Sequence, residues 1–292
     1  MSVSPFLFKS HLLISTHSCT RRYGLNRCTG VEYATAGIPV IHVAHRHRSS
    51  ILARFASLFA LFELSGCGLR GQHYSDIQTS TPLRREDTLI IGFMGGRDSW
   101  RDENVGVGRL AAKLRKSELN GVHIETVENL KRGLALKFVK NSLDRDGNGE
   151  LDDSERSSAR IILYGQSFGG AAVVKFARQL NEIAVPVLLT IQIDSVGRGD
   201  EMIPPNVRTA ANFYQNNGRV IRGAKNIRAT DPNRTVILFN RRIDYRKRDV
   251  QMRRLPWYKK AFRTDHLKMD NDPEVWKQVE QLIQHAIKQE RQ

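Results

Sequence analysis

From Asp87 to the C-terminus, apolar runs of strand length take turns with stretches of helical spacing. Thr88 to Met94 (TLIIGFM) is an unbroken apolar run closed by Gly95-Gly96, the pattern of a strand buried on both faces. Val105 to Lys116 repeats its apolar residues at helical spacing, His123 to Val127 reads as a strand, and Leu130 to Leu143 returns to helix. Arg160 to Tyr164 (RIILY), Val185 to Ile193 (VPVLLTIQI) and Thr235 to Phe239 (TVILF) are further strands. Ala171 to Ile183 and Pro273 to Lys288 are helices, the last amphipathic. Strands separated by helices require crossover connections, which are right-handed and make strands parallel. The expected class is α/β: a mostly parallel central sheet with helices on both faces, in three layers. There is no internal repeat.

Nothing comparable precedes Asp87. Residues 1–85 read as an N-terminal extension and 86–292 as one catalytic-size domain. Met1 to Ala44 shows neither period. His45-Arg46-His47-Arg48, the apolar stretch Ile51 to Leu64 and the box Leu64-Ser65-Gly66-Cys67 follow. That layout resembles a bacterial lipoprotein signal, with Cys67 as the lipid-accepting residue and Val43 as a possible initiator. The alternative is an amphipathic helix in the extension. Gly71 to Glu86 is polar and reads as a linker.

Composition narrows the picture in three ways. The three cysteines, Cys19, Cys28 and Cys67, all lie in the first quarter, so the domain has no disulfide framework. No run reaches about 18 apolar residues, so no membrane-spanning helix is expected. The formal net charge is +16, with basic residues spread widely and densest from Arg219 to Arg263, outside any nucleic-acid motif. A basic surface that aids solubility or meets anionic lipid is expected, and nucleic acid is not. With the lipoprotein box, this gives the bacterial cell envelope or secretion as the expected location, and the cytoplasm as the alternative.

The chemistry gathers after RIILY. Gly165-Gln166-Ser167-Phe168-Gly169-Gly170 sits between that strand and the helix AAVVKFARQL. A sharp strand-to-helix turn lifts the serine oxygen above the sheet, at a helix end whose free N–H groups favour developing negative charge. Small residues two before and two after the serine keep so tight a bend free of clashes. Strand, elbow and helix together resemble the α/β-hydrolase superfamily of lipases, esterases and thioesterases, over roughly residues 88–288.

The resemblance implies Ser167 as nucleophile and the chain order Ser, Asp or Glu, His. Two histidines follow Ser167. His285 falls within the terminal helix, where a structural role is expected. His266, in Thr264-Asp265-His266 just before that helix, is the candidate base. Asp194, at the end of VPVLLTIQI, is the candidate acid, with Asp244 as alternative. The oxyanion hole implied is the N–H of Phe168 with that of Phe93, or alternatively Met94, in Gly92-Phe93-Met94-Gly95-Gly96. Hydrolysis of a small-molecule or lipid carboxylic ester through an acyl-enzyme is expected, without an organic cofactor. A thioesterase or amidase, or a non-catalytic calcium-braced scaffold, are the alternatives. Gly197 to Asn233 should shape the pocket, with Phe213, Tyr214 and Trp257 as possible lining.

One motif stands apart. Asp144, Asp146, Asn148, Glu150 (through its carbonyl), Asp152 and Glu155 fill the ligand places of a twelve-residue EF-hand-like loop. Gly149 occupies its sharp turn and Leu151 its apolar place. Only four residues separate Glu155 from Arg160, leaving no room for a full exit helix. A lone structural Ca2+ site leading into the elbow strand is expected.

Overall fold

In the computed structural model, which describes residues 71–217, 223–252 and 265–292, the alternation resolves into eight strands and five labelled helices. In chain order these are β1 (Thr88–Met94), α1 (Gly106–Lys116), β2 (Val122–Glu128), α2 (Arg132–Leu143), α3 (Asp153–Ser157), β3 (Ile161–Gln166) and α4 (Phe168–Glu182). Then come β4 (Val187–Ile193), β5 (Met202–Ile203), β6 (Val207–Tyr214), β7 (Arg228–Ala229), β8 (Val236–Arg242) and α5 (Pro273–Gln289). Residues 265–271 are also helical. Cys67 with its preceding signal-like segment, and Trp257, lie outside the described residues. Among the described residues no helix is long and apolar enough to cross a membrane.

Six strands make one wholly parallel sheet in the order β2-β1-β3-β4-β6-β8, and β5 pairs with β7 separately. Side chains alternate across the pleat, so β1 feeds two cores at once. Leu89, Ile91 and Phe93 pack with Phe138 and Val139 of α2 and with Val173 and Phe176 of α4. Ile90 and Met94 pack on the other face with Val107 and Leu110 of α1 and with Val279 and Ile283 of α5. The chain therefore adopts the three-layer α/β architecture. It runs from β1 out to β2 and returns to β3 on the opposite side of β1. That reversal makes the carboxyl ends of β1 and β3 the switch point, the place at which open α/β sheets take ligands.

Strand β6 had no counterpart in the apolar pattern, because it turns the polar Asn212 inward. Asn212 Nδ2 donates to Ala224 O at 2.8 Å and to Asn240 Oδ1 of β8 at 3.1 Å. Asn240 Oδ1 also accepts Ile227 N at 2.7 Å, so two carboxamides pin the crossover to the sheet. Phe213, expected to line a pocket, is instead buried core, edge-on to Phe239 at 5.1 Å.

The stretch 71–86 is not a free linker. Gln72 is buried, and its Nε2 donates to Thr126 O on edge strand β2 at 2.9 Å. Buried Glu125 Oε1 accepts the backbone N–H groups of Gln78 (3.0 Å) and Thr79 (2.7 Å). Polar residues that looked solvated are the partners covering an exposed sheet edge. Asp87 closes this clasp, with Oδ2 3.0 Å from His123 Nε2 and 3.2 Å from Arg84 N.

Burial pushes the Asp87 carboxyl up, but the bonds from His123 and Arg84 outweigh it and hold the group below its ordinary 3.8. A carboxylate depressed in the folded state stabilises above its unfolded pKa and stops doing so as pH falls through the folded one. Asp87→Asn should therefore cost about 1–3 kcal/mol at neutral pH. Its deficit against wild type should close as denaturant melts are taken down through the acid range.

Candidate active site

Ser167 follows β3 with φ 60° and ψ −126°, a conformation that L-residues adopt only when their surroundings impose it. The surroundings are specific. Ser167 N donates to Ile193 O at 3.0 Å, and Ser167 O accepts Gly170 N and Val196 N, each at 3.0 Å. The glycines are required by contact. A Cβ on Gly165 would lie 2.5 Å from Gly169 C, and one on Gly169 would lie 2.0 Å from Phe93 O. Strand, helix and neighbouring strand can thus close around the bend only where side chains are missing. Ser167 is half-buried at the N-terminus of α4, at the β1–β3 reversal.

Two of the predicted partners meet here. His266 Nδ1 and Asp194 Oδ2 are 2.6 Å apart, both groups buried. With Nδ1 carrying the proton to the carboxylate, Nε2 of a neutral imidazole is left as a lone pair. That nitrogen lies 3.4 Å from Nε2 of Gln166, the residue before Ser167, which brings the ring beside the elbow. Ser167 Oγ makes no hydrogen bond among the described residues; such contacts are often loose before substrate binds. Asp194 sits at the exit of β4 with φ 45°, its N–H on Phe213 O at 2.7 Å.

Asp244 is elsewhere. It lies beyond β8 in a surface clasp, bonded by Arg246 Nη2 at 2.6 Å and by Asn217 Nδ2 at 2.8 Å. The Arg246 side chain, with its backbone N–H, holds the Asp244 carboxyl far below the ordinary range. His285 is exposed on α5 rather than packed on its buried face.

The segment carrying His266 is tied on several sides. Asp270 Oδ1 accepts Gly106 N at the start of α1 at 2.8 Å. Fully buried Asp272 caps α5 through Glu274 N at 3.0 Å and accepts Arg248 Nη2 at 2.7 Å and Tyr245 Oη at 2.9 Å. Burial and the adjoining Asp272 carboxylate push the Tyr245 hydroxyl far above its ordinary pKa.

The oxyanion side departs from expectation. β1 runs through Met94 as the apolar run predicts, so Phe93, an expected donor, lies within the strand, fully buried and edge-on to Phe176 at 5.3 Å. The backbone facing the nucleophile is one step further on: a Cβ on Gly95 would be 3.4 Å from Ser167 Cβ. Asn129 Nδ2 donates to Met94 O (3.1 Å) and Gly96 O (2.6 Å), drawing these carbonyls away toward β2. Asn129 and Gln166 escaped sequence reading, because a lone amide carries no spacing signal. Phe168, the other expected donor, opens α4, where first-turn N–H groups lack an intrahelical acceptor.

The calcium-loop residues lie at the opposite end of β3. Oxygens of Asp144, Asp146 and Glu155 fall within 4.8 Å of one another. A separate cavity of about 470 Å³, lined by Val187, Asn206 and Arg234 among others, also opens at the amino ends of the strands, away from Ser167.

No family model and no curated protein matches this chain. Among solved structures it is similar to a cutinase-like protein from Cryptococcus sp., at 13% identity and a TM-score of 0.40, covering 69% of this chain and 95% of that one. It is also similar to an uncharacterized protein from Pseudomonas aeruginosa, at 12% identity and a TM-score of 0.36, covering 52% and 40% respectively.

The contacts at the elbow make a prediction with an internal control. Gly169→Ala forces a methyl onto Phe93 O and should destabilise by about 1–3 kcal/mol or more. Gly133→Ala, on α2 with nothing within 4 Å of the added atom, should gain about 0.5–1 kcal/mol. Denaturant unfolding of both variants reads the contrast.

Proposed function

We propose that the chain is a serine hydrolase acting on carboxylic esters, with Ser167 as nucleophile, His266 as base and Asp194 as acid. The observation that carries this is the buried 2.6 Å contact between His266 Nδ1 and Asp194 Oδ2 beside the strained Ser167 backbone. His266 Nε2 takes the proton of Ser167 Oγ as the oxygen attacks the ester carbonyl. Asp194 holds the Nδ1–H tautomer and stabilises the imidazolium that forms. The tetrahedral oxyanion accepts hydrogen bonds from the N–H of Phe168 and from the Gly95–Gly96 turn. The imidazolium then protonates the departing alkoxide, and water, deprotonated by His266, releases the acid and frees Ser167.

We extend the proposal to a structural Ca2+ held by Asp144, Asp146, Asn148, the Glu150 carbonyl, Asp152 and Glu155. Support comes from Asp144 Oδ1, a buried oxygen without a hydrogen-bond partner among the described residues, and from Gly149 N on Asp144 Oδ2 at 3.0 Å, which folds the loop around that carboxylate. Two ligands have present duties: Asp152 Oδ1 caps α3 through Glu155 N at 2.7 Å, and Glu155 Oε1 accepts Arg145 N at 2.6 Å. β3 has six residues, so the loop lies roughly 20 Å from Ser167 and its ion would brace the fold without touching chemistry. The basic surface and the Cys67 box support attachment of the protein to an anionic envelope membrane.

Ser167→Ala should abolish labelling by a fluorophosphonate and remove most nitrophenyl-ester turnover, leaving about 10³–10⁴-fold over water. Asp194→Asn should be crippled and Asp244→Asn, which keeps an oxygen for Asn217 Nδ2, nearly unaffected; the reverse pattern would reassign the acid. Parallel assays with thioester and anilide substrates separate an esterase from its rivals, and an unlabelled, inactive wild type would mark a scaffold. About 10 mM Ca2+ should raise stability by about 1–3 kcal/mol if affinity is ~10⁻⁴–10⁻³ M. Chelator or Asp144→Asn should erase that gain and leave kcat unchanged. A melting temperature indifferent to both would remove the ion.

A further inference from the structure

We propose that Gln215 is a positioning residue for Asp194, gripping its carboxylate so that one oxygen stays on the imidazole, a role that rests on the hydrolase reading above. Gln215 follows β6 directly and is fully buried, as is Asp194. Its backbone N–H donates to Asp194 Oδ1 at 3.2 Å, and its side-chain Nε2 donates to Asp194 Oδ2 at 3.1 Å. One residue therefore holds both carboxylate oxygens, while His266 Nδ1 shares Oδ2. Rotation of the carboxylate about its bond to Cβ would break both bonds in a site too dry to replace them.

The amide has a defined sense. Gln215 Oε1 accepts Asn217 N at 3.0 Å, so the oxygen end is engaged by a backbone donor and the nitrogen end must face the carboxylate. The turn that supplies this donor is anchored in its own right. Asn217 Nδ2 bonds Asp244 Oδ1 at 2.8 Å, and Arg246 Nε bonds the same oxygen at 3.0 Å. Asp244, a candidate acid by sequence, stands at the outer end of a hydrogen-bond chain that reaches Asp194 through Asn217 and Gln215. Gly223 presses against Asp194 from another side, since a Cβ there would lie 2.2 Å from Oδ1. The buried carboxylate is thus oriented by donors just after β6 and by steric contact from the crossover. Loss of Gln215 should accordingly slow the chemical step and spare substrate binding.

Gln215→Met keeps the bulk and removes the side-chain donor; Gln215→Glu sets a second carboxylate against Asp194. Kinetics are to be read beside the far-downfield proton resonance of His266 Nδ1, assigned by its loss in His266→Gln and Asp194→Asn. Expected for Gln215→Met is a kcat lower by on the order of 10–100-fold, with KM within about twofold and the resonance moved upfield or broadened. Gln215→Glu should be worse. A folded Gln215→Met with lowered melting temperature but unchanged kcat and resonance would make Gln215 a packing residue and overturn the proposal. Should that variant not fold, Asn217→Pro, which removes the donor to Oε1, must shift the resonance in the same direction, and an unmoved resonance overturns it equally. The resonance needs no substrate. A protein that turns over no ester while its resonance responds to Gln215 would overturn the hydrolase reading alone.

Discussion

The bend at Ser167 depends on backbone meeting backbone without a side chain between. β3, α4, β1 and β4 converge where Gly165, Gly169 and Gly170 leave room, and the serine's unfavourable dihedral is held by bonds to Ile193 and Val196. Strain of this kind costs on the order of 1–3 kcal/mol and persists only where surroundings over-determine it. Here both core layers do so, because α4 packs on one face of the sheet while β1 continues into the other. The fold's stability and the exposure of one hydroxyl are aspects of the same arrangement.

Around that point the polar groups are arranged in order of burial. Asp194 is fully enclosed and receives its bonds from His266 and Gln215. Asp272 is equally buried but is satisfied by an arginine and a tyrosine, and holds the segment that carries His266. Asp244 is part-exposed and engaged with Arg246. Three carboxylates within one region thus have distinct duties, set by how far water is excluded and by which donors meet them.

Much of this was legible in the chain. Strands such as TLIIGFM and VPVLLTIQI are apolar throughout because they are buried on both faces, and the elbow glycines carry a steric signal with fixed spacing. The places of Ser167 and Asp194, directly after β3 and β4, follow from the apolar runs that end there, whereas His266 was singled out through the resemblance. What escaped was polar and interior. β6 was hidden by Asn212, Gln72 fell in a stretch that read as a polar linker, and the partners that bury Glu125 lay in that same stretch. A buried polar residue is explained by its partner, and the partners lie far along the chain: Thr126 is 54 residues from Gln72, and Asp194 is 21 from Gln215. No local window contains both ends.

The clasp on β2 also guards that edge. Gln72 Nε2 occupies Thr126 O and its Oε1 occupies Glu128 N, so loosening residues 71–79 would free these backbone groups for the strand of another molecule.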